Sequence, residues 1–369
     1  MGASRQMTRS YKLSEFTSLE DVAEWTKTDD AKEIELQISS SAGFAPTVEG
    51  VALGALQQLA QKGSLIAECG GYVERLPRVF DGLFGLSVAL IARTIAGPHG
   101  LSRKTALAAD LWQRVLDGRG QVGTGNHVGI VFRDPDYWMP QCLRSPEGHF
   151  PKRDLFRSSI LSAAQGMGFP RSFSTTEEDV ITFLYEATQN SHDHARVGSD
   201  GRAVSGIRGI LLDRVAVTSG RELAGRRDLS EFQRSYIRRA SAEIAGSARF
   251  FAFTVSDLGP GIHNTLPSSP SESAWSRLNR AFTAGETRKP RGAGLESGQG
   301  LAKLRESSRR LRALLFVKSA DLAGYIDFSL DCDSNRLTEI PTRFGSMGTS
   351  LTLMWPATRT GGDQKSLFE

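Results

Sequence analysis

The spacing of apolar and polar residues along the chain predicts an α/β protein. Period-two alternation or a short apolar run predicts strands, and apolar positions three or four apart predict helices. The predicted strands are residues 34–38, 65–67, 127–132, 249–256 and 349–356. The predicted helices are residues 16–29, 48–62, 82–96, 102–117, 180–195 and 301–315.

The length of 369 residues predicts about two domains. Residues 1–150 are predicted to form a smaller N-terminal α/β domain with a regulatory or partner-binding role. Residues 151–169 are predicted to be a connector, 170–357 a second α/β domain, and 358–369 a flexible tail. The Gly-rich stretch 118–125 lacks the Gly-Lys-Ser/Thr ending of a phosphate loop and is predicted to be a turn.

Composition and charge argue against a disulfide-rich, zinc-binding or membrane-spanning protein. Three cysteines without a C-x-x-C pair argue against a disulfide framework or a zinc site. The same cysteine pattern favours a reducing cytoplasm. The most apolar stretch, residues 83–92, falls short of the ~20 residues that span a bilayer, so we expect no membrane contact. The net charge of +4 permits an acidic partner without requiring one.

Three polar side chains stack along one face of the predicted helix at 180–195. Glu186, Asn190 and His194 follow one another at intervals of four residues. A carboxamide oxygen can complete the octahedral shell of Mg²⁺, and a carboxylate can accept a proton from an attacking water. The competing interpretation is a solvated helix face, which is the commoner role of Glu and Asn at this spacing. A lone histidine is likewise more often a satisfied polar residue than a ligand.

The predicted strand at 249–256 delivers Asp257 at its end, followed by Gly259 and Gly261. Glycine allows backbone angles and close approach that a side chain forbids. A carboxylate in such a turn can accept a hydrogen bond from the exocyclic amine of adenine. A simple strand-ending turn explains the same residues.

Two further segments suit a nucleotide. Gly298 and Gly300 precede the predicted helix at 301–315, and the free amides of a helix N-terminus attract phosphate. Residues 285–297 are basic and Gly-rich with almost no large apolar side chain, which is typical of a mobile lid. Gly348 and Thr349 open the last predicted strand.

In their order, the four segments resemble the N-box, G1 box, G2 box and closing Gly-Thr strand of the GHKL superfamily. This superfamily groups gyrase-type topoisomerases, heat-shock chaperones, sensor histidine kinases and mismatch-repair ATPases. The resemblance covers residues 170–357 and implies a Bergerat-type mixed sheet with helices on one face that binds ATP and Mg²⁺. Ser191 departs from the pattern, since Ala commonly follows the N-box Asn.

The resemblance also implies a role for each residue of the four segments. Glu186 would be the general base, Asn190 the Mg²⁺ ligand, and Asp257 the residue that reads adenine. Thr349 would lie beside Asp257 and its bound water. The glycines would shape the base and phosphate pockets, and they are Gly259, Gly261, Gly298 and Gly300.

Two regions raise the question of partners. About the first third of the chain resembles a STAS-like fold, which suggests a protein partner for the N-terminal domain. Residues 222–245 form a basic helical insert with five arginines. A solvated helix face explains these arginines, and contact with nucleic acid or an acidic protein is the sharper alternative.

Three classes of GHKL protein compete. In an ATP-hydrolysing switch, closure of the lid, with or without a homodimer, would control a partner. A sensor histidine kinase needs a phospho-accepting His on a helical hairpin, and none of the six histidines has that context. An anti-sigma-type serine kinase would phosphorylate a bound partner. Glu186 favours the hydrolysing switch, because transfer to a protein does not need an activated water.

Overall fold

The computed structural model describes the elements that build both predicted domains. The described residues are 8–14, 17–27, 33–39, 44, 46–62, 64–69, 82–96, 104–117, 121–124, 127–134, 140, 143, 150–165, 176–197, 202–204, 206–217, 220–242, 248–267, 269–283, 299–331, 334, 336–341 and 343–357. The predicted lid at 285–297, Gly298 and the predicted tail at 358–369 lie outside these ranges.

Four parallel strands form a small sheet in the N-terminal part of the chain. They lie side by side in chain order as β1 (Thr8–Leu13), β2 (Glu33–Ile38), β3 (Ser64–Cys69) and β4 (Thr94–Ala96). The helices that follow the strands are α1 (Leu19–Thr26), α2 (Pro46–Lys62), α3 (Leu83–Ile91) and α4 (Lys104–Asp117). Ile34, Leu36 and Ile38 are buried and alternate with partly exposed residues, so one face of β2 lies against the core.

Eight antiparallel strands form the main sheet. In chain order they are β5 (Gln121–Thr124), β6 (His127–Asp134), β7 (Gly206–Val217), β8 (Ala248–Ser256), β9 (Leu314–Ser319), β10 (Leu322–Asp327), β11 (Thr338–Glu339) and β12 (Thr349–Pro356). Their order across the sheet is β11-β10-β9-β12-β8-β7-β6-β5. The strand β12 is therefore central, although it is the last of the eight along the chain.

Seven more helices complete the described elements. They are α5 (Arg153–Gln165), α6 (Glu177–His194), α7 (Gly220–Gly225), α8 (Glu231–Ala242), α9 (Ile262–Thr265), α10 (Ala274–Thr283) and α11 (Gly300–Arg310). On one face of the main sheet, α6 packs against β8 and against α11. Val180, Ile181 and Leu184 of α6 are buried in the hydrophobic cluster on that face.

The opposite face of the main sheet packs against α2. Successive residues of β8 alternate between the two faces: Phe250 and Ala252 join the cluster on the α2 side, and Phe251 and Phe253 join the cluster on the α6 side. Helix α2 crosses β7, β8 and β12. Its close approach depends on Gly50, where an added Cβ would lie 2.6 Å from the hydroxyl of Ser350.

The α/β class is confirmed, and two details of the predicted sheet are wrong. The expected mixed sheet is antiparallel throughout its described strands. The expected single helical face is replaced by two covered faces, because α2 from the N-terminal part covers the side opposite α6.

The main sheet extends across the predicted domain division. The strands β5 and β6 belong to the predicted domain at 1–150, yet β6 pairs along its length with β7. Within the predicted connector at 151–169, the structure has helix α5. Its buried side chains, among them Phe156 and Ile160, contribute to the core on the α6 side.

Two predicted helices end earlier than their apolar spacing suggests. Helix α11 ends at Arg310, because Arg312 takes a left-handed conformation (φ 47°) and the chain turns into β9. Leu315, assigned to the helix by its spacing, is instead a buried residue of β9. Similarly, α3 ends at Ile91 and β4 follows within the predicted helix at 82–96.

The basic insert at 222–245 contains two helices, α7 and α8. Three of its arginines make ion pairs within the chain: Arg226 with Asp228, Arg234 with Glu231, and Arg239 with Asp327. Tyr236 and Ile237 of α8 are buried in the core on the α2 side. None of the described helices combines the length and apolar character that crossing a bilayer requires.

Candidate functional site

Asp257 lies immediately after β8 with its carboxylate fixed by backbone amides. The residue is 8% exposed. Its Oδ1 accepts hydrogen bonds from the amides of Gly259 (2.9 Å) and Thr349 (3.0 Å). Both bonds reach the same oxygen, Oδ1.

Burial makes the charged form of Asp257 costly. Desolvation raises the pKa of Asp257 to about 6, although the two amide bonds and the nearby Arg208 and Lys318 act to lower it. The carboxyl is therefore a mixture of charged and neutral forms only slightly below neutral pH. A ligand that donates a hydrogen bond would stabilise the charged form.

The start of β12 fits against the turn after Asp257. The amide of Gly348 donates to the carbonyl of Gly259 (2.8 Å), and the amide of Asp257 donates to the carbonyl of Thr349 (2.9 Å). Gly348 has a φ of +86°, and a Cβ there would lie 2.0 Å from the carbonyl oxygen of Asp257. Glycine is thus required by both conformation and space, which explains the Gly-Thr pair.

The predicted phosphate-side residues converge between two helices. A Cβ added at Gly300, the first residue of α11, would lie 3.0 Å from Oε2 of Glu186 and 3.1 Å from Nδ2 of Asn190. Any side chain at position 300 would be crowded by both α6 side chains, so glycine lets the start of α11 approach them closely. Gly298 lies outside the described residues, so its place in this cluster stays a prediction.

The N-terminus of α11 has no hydrogen bond from the side chain of its N-cap residue, Gln299. The first amides of a helix without such a cap are available to a ligand, and the helix dipole favours negative charge there. One turn into the helix, Lys303 Nζ lies 3.3 Å from Oε1 of Glu186. The two halves of this cluster therefore already interact through an ion pair.

Close backbone contacts connect the Asp257 turn to the rest of the site. A Cβ at Gly259 would lie 2.6 Å from the Cα of Ala195, which follows the last residue of α6. Gly261 has a φ of +90°, and a Cβ there would lie 2.9 Å from Ala320. These glycines let the turn fit between the end of α6 and the turn after β9.

The structure also reveals two buried cations that the sequence did not identify. Arg208 of β7 is 3% exposed and lies over the ring of Phe132, 5.0 Å from its centroid. Lys318 of β9 is 1% exposed. A charged residue within the apolar run of β9 was the available signal for Lys318, but the helix predicted at 301–315 overlapped the start of β9 and no strand was predicted after it. For Arg208, the undetected strand β7 was the missing context.

The side chains of the candidate site suit a metal ion bound partly by phosphate oxygens better than one bound by protein ligands alone. Across the described part of the chain, no three His, Cys, Asp or Glu side chains group in a way that could hold a metal ion. Mg²⁺ commonly takes one or two protein ligands and completes its shell with water and phosphate oxygens. A single carboxamide at Asn190, close to the start of α11, fits that mode.

Comparison of the chain with protein-family models, with curated proteins and with solved structures finds no match in any of the three. The evidence for a function of this site is therefore its own geometry together with the order of its four segments.

Proposed function

We propose that the protein binds Mg-ATP in a GHKL-type site on a Bergerat-like domain and hydrolyses it. The observation that carries the proposal is the meeting of four distant segments: Asp257 is held by the amides of Gly259 and Thr349, while Gly300 adjoins Glu186 and Asn190. A strand-ending turn or a solvated helix face would explain each segment alone. Neither explains why the segments come together.

Adenine recognition would use the carboxylate of Asp257. Its Oδ2 would accept the exocyclic amine of the base, and the buried setting would make that hydrogen bond stronger than in water. A base without an amine at that position would leave Oδ2 without this hydrogen bond in a buried site, which is costly. The pocket should therefore prefer adenine to other bases.

The phosphates would lie at the N-terminus of α11. The N-terminal amides of α11 suit a terminal phosphate, and Asn190, close to Gly300, would hold Mg²⁺ beside it. When bound, Mg²⁺ supplies positive charge that offsets the charge on the phosphate oxygens. Lys303 adds a second positive group at the same end of the helix.

Hydrolysis would use Glu186 as the general base. A water oxygen bonds to the γ-phosphorus, the bond between that phosphorus and the β–γ bridging oxygen breaks, and the proton from water passes to the carboxylate. The products are ADP and inorganic phosphate. Because Lys303 contacts Glu186 through Oε1, the second oxygen, Oε2, which faces Gly300, is the one suited to the water.

The hydrolysis cycle would act as a switch that controls a partner. The contact of α2 with β8 and β12 supplies a physical route from the nucleotide to the N-terminal part of the chain. A lid at 285–297, a homodimer and a protein partner are expectations from the sequence. The ion pairs of Arg226, Arg234 and Arg239 favour a structural role for the basic insert over nucleic-acid binding.

The test follows the γ-phosphate. Purified protein is incubated with Mg²⁺ and γ-labelled ATP, and the label is located. Free labelled phosphate, lost in Glu186→Gln, is the expected result. Label on a co-purifying partner would support the anti-sigma-type serine kinase instead, and label on the protein itself would support an autokinase. No binding of ATP at all would overturn the proposed site.

A further inference from the structure

The buried ammonium of Lys318 gathers three consecutive backbone carbonyls. Alternation along β9 places Lys318 on the same side as Leu314 and Phe316, which is the α2 side of the sheet. Its Nζ donates to the carbonyl oxygens of Ser346 (3.1 Å) and Gly348 (3.3 Å), and also to that of Met347 between them. The segment before β12 is thus folded around one positive charge.

The same segment also fixes Asp257, the residue proposed to bind adenine. Directly after the three carbonyls, the amide of Thr349 donates to Asp257. The carbonyl of Gly348, one of the three, also accepts from the amide of Ala320 (2.9 Å). A shift of residues 346–348 would therefore move the Thr349 amide away from the Asp257 carboxylate.

Helix α2, in the N-terminal part of the chain, packs closely against residues 346–348. A Cβ added at Gly54 would lie 2.6 Å from the carbonyl oxygen of Met347 and 3.4 Å from Nζ of Lys318. The Gly54 backbone is therefore almost in contact with the carbonyls that Lys318 gathers. A small displacement of α2 would be felt directly by residues 346–348.

We propose that Lys318 is a positioning residue, which holds residues 346–349 in the conformation in which the Thr349 amide binds Asp257. Helix α2 contacts this segment through Gly54, and the N-terminal part of the chain thereby sets the affinity for ATP. The inference rests on the proposed function and adds regulation to the same site. It requires no contact between α2 and the nucleotide.

If Lys318 acts through its charge, removing that charge should change the pH dependence of ATP binding. A side chain that only fills space would not have this effect. The charges of Asp257 and Asp321 favour the charged form of Lys318. The charge of Arg208 likewise favours the charged form of Asp257, and the ring of His263 forms a hydrogen bond with Ser319, next to Lys318. Burial lowers the pKa of Lys318 to about 7, and its remaining charge helps to keep Asp257 ionised. Without that charge the pKa of Asp257 should rise further, so ATP affinity should be lost at a higher pH on acidification.

The first test is calorimetric titration of the full chain with Mg-ATP between pH 5.5 and 8.5. In Lys318→Met, which keeps the length of the side chain and removes the charge, we expect affinity at pH 7 to fall about tenfold or more. The pH at which affinity is half lost should also move upward. Weaker binding with an unmoved pH midpoint would reduce Lys318 to a structural residue and overturn its positioning role.

The second test separates the α2 contact from general damage to α2. In Gly54→Ala, the methyl group would push against the Met347 carbonyl, and we expect about 5- to 50-fold weaker ATP binding. Leu59→Ala is the control on the same helix, because it removes a fully buried side chain of α2 and adds no group near Met347. We expect Leu59→Ala to lower thermal stability while the ATP affinity of the folded protein stays near that of the wild type.

The outcomes distinguish this inference from the proposed function. If the wild type binds ATP and Asp257→Asn does not, but Lys318→Met and Gly54→Ala bind as the wild type does, only the positioning inference fails. If Lys318→Met does not fold, the comparison of Gly54→Ala with Leu59→Ala decides. If the wild type itself does not bind ATP, both proposals fail together.

Discussion

The two halves of the candidate site are built differently. On the base side, Asp257 is held by the main-chain amides of Gly259 and Thr349, so its position is set by the pairing of β8 with β12. On the phosphate side, Glu186 and Asn190 project from a helix, and the carboxylate of Glu186 already has a partner in Lys303. The main chain fixes the first half, and side-chain rotamers and an ion pair fix the second.

This difference separates binding from chemistry. A half fixed by the main chain changes only when the sheet itself changes, whereas side chains can be exchanged without loss of the fold. We therefore expect substitutions on the phosphate side to affect turnover most and stability least. Substitutions on the base side should affect both affinity and stability.

The largest expected effect is on turnover in Glu186→Gln. Removal of a general base typically costs about 10²- to 10⁴-fold in rate. ATP affinity should change little, because the amide fills the same space. Phosphate release and calorimetric binding, measured on the same sample, check this. Glu178→Gln, at an exposed position on the same helix, is the control and should turn over as the wild type does. An unchanged rate in Glu186→Gln would mean that hydrolysis does not use this carboxylate.

The next largest effect is on affinity in Asp257→Asn. Loss of a charged acceptor for the adenine amine should cost ~1.5–3 kcal/mol of binding free energy, or roughly 10- to 150-fold in Kd. Calorimetry with ATP checks this, with Asp154→Asn as a surface control. Unchanged affinity would remove Asp257 from the site, and the base-side half of the comparison would fail.

Gly348→Ala should destabilise the fold by about 1–3 kcal/mol, because a non-glycine residue is strained at positive φ and its Cβ would meet the carbonyl of Asp257. Denaturant unfolding measures this loss. The matched control is Gly225→Ala at the end of α7, where nothing lies within 4 Å of an added Cβ. That variant should stay within about 0.5 kcal/mol of the wild type. Equal effects at the two positions would show that the turn at Gly348 is not constrained as described.

The fourth expected effect is a pH dependence of stability caused by Lys318. Its pKa is lowered from 10.5 to about 7 in the folded protein. At pH values between these two pKa values, the unfolded chain binds more protons than the folded protein. The unfolding free energy should therefore rise with pH, by at most about 1.4 kcal/mol per pH unit. Unfolding midpoints in denaturant at pH 7, 8 and 9 measure the slope. Lys318→Met should have a smaller slope, and an identical slope in both proteins would contradict the burial of a charged ammonium.

Local patterns were sufficient for the elements that carry the site. The spacing along α6 and the apolar run of β8 predicted both elements within a few residues, since these signals are local and strong. Asp257 and Gly259 were placed correctly at the end of β8 for the same reason. The roles assigned to them by resemblance stay predictions.

Long-range pairing could not be read from the sequence. Nothing in β12 indicates that it lies between β8 and β9, and nothing in α2 indicates that Gly50 and Gly54 face the main sheet. Leu311 and Leu315 continued the stripe of α11, so the spacing predicted a longer helix. The left-handed turn at Arg312 ends the helix because the apolar strand that follows pairs with β10 and β12. The burial of Lys318 likewise depends on carbonyls 28–30 residues away.

The central place of β12 has a consequence for synthesis of the protein. Seven of the eight strands of the main sheet are translated before it, and until it arrives β8 and β9 each lack the neighbour that lies between them. A nascent chain would therefore present two bare strand edges and no Thr349 amide for Asp257. Such edges favour aggregation, and pairing distant in sequence is slow. The protein should depend on chaperones during translation, and fragments that end before residue 349 should not bind nucleotide.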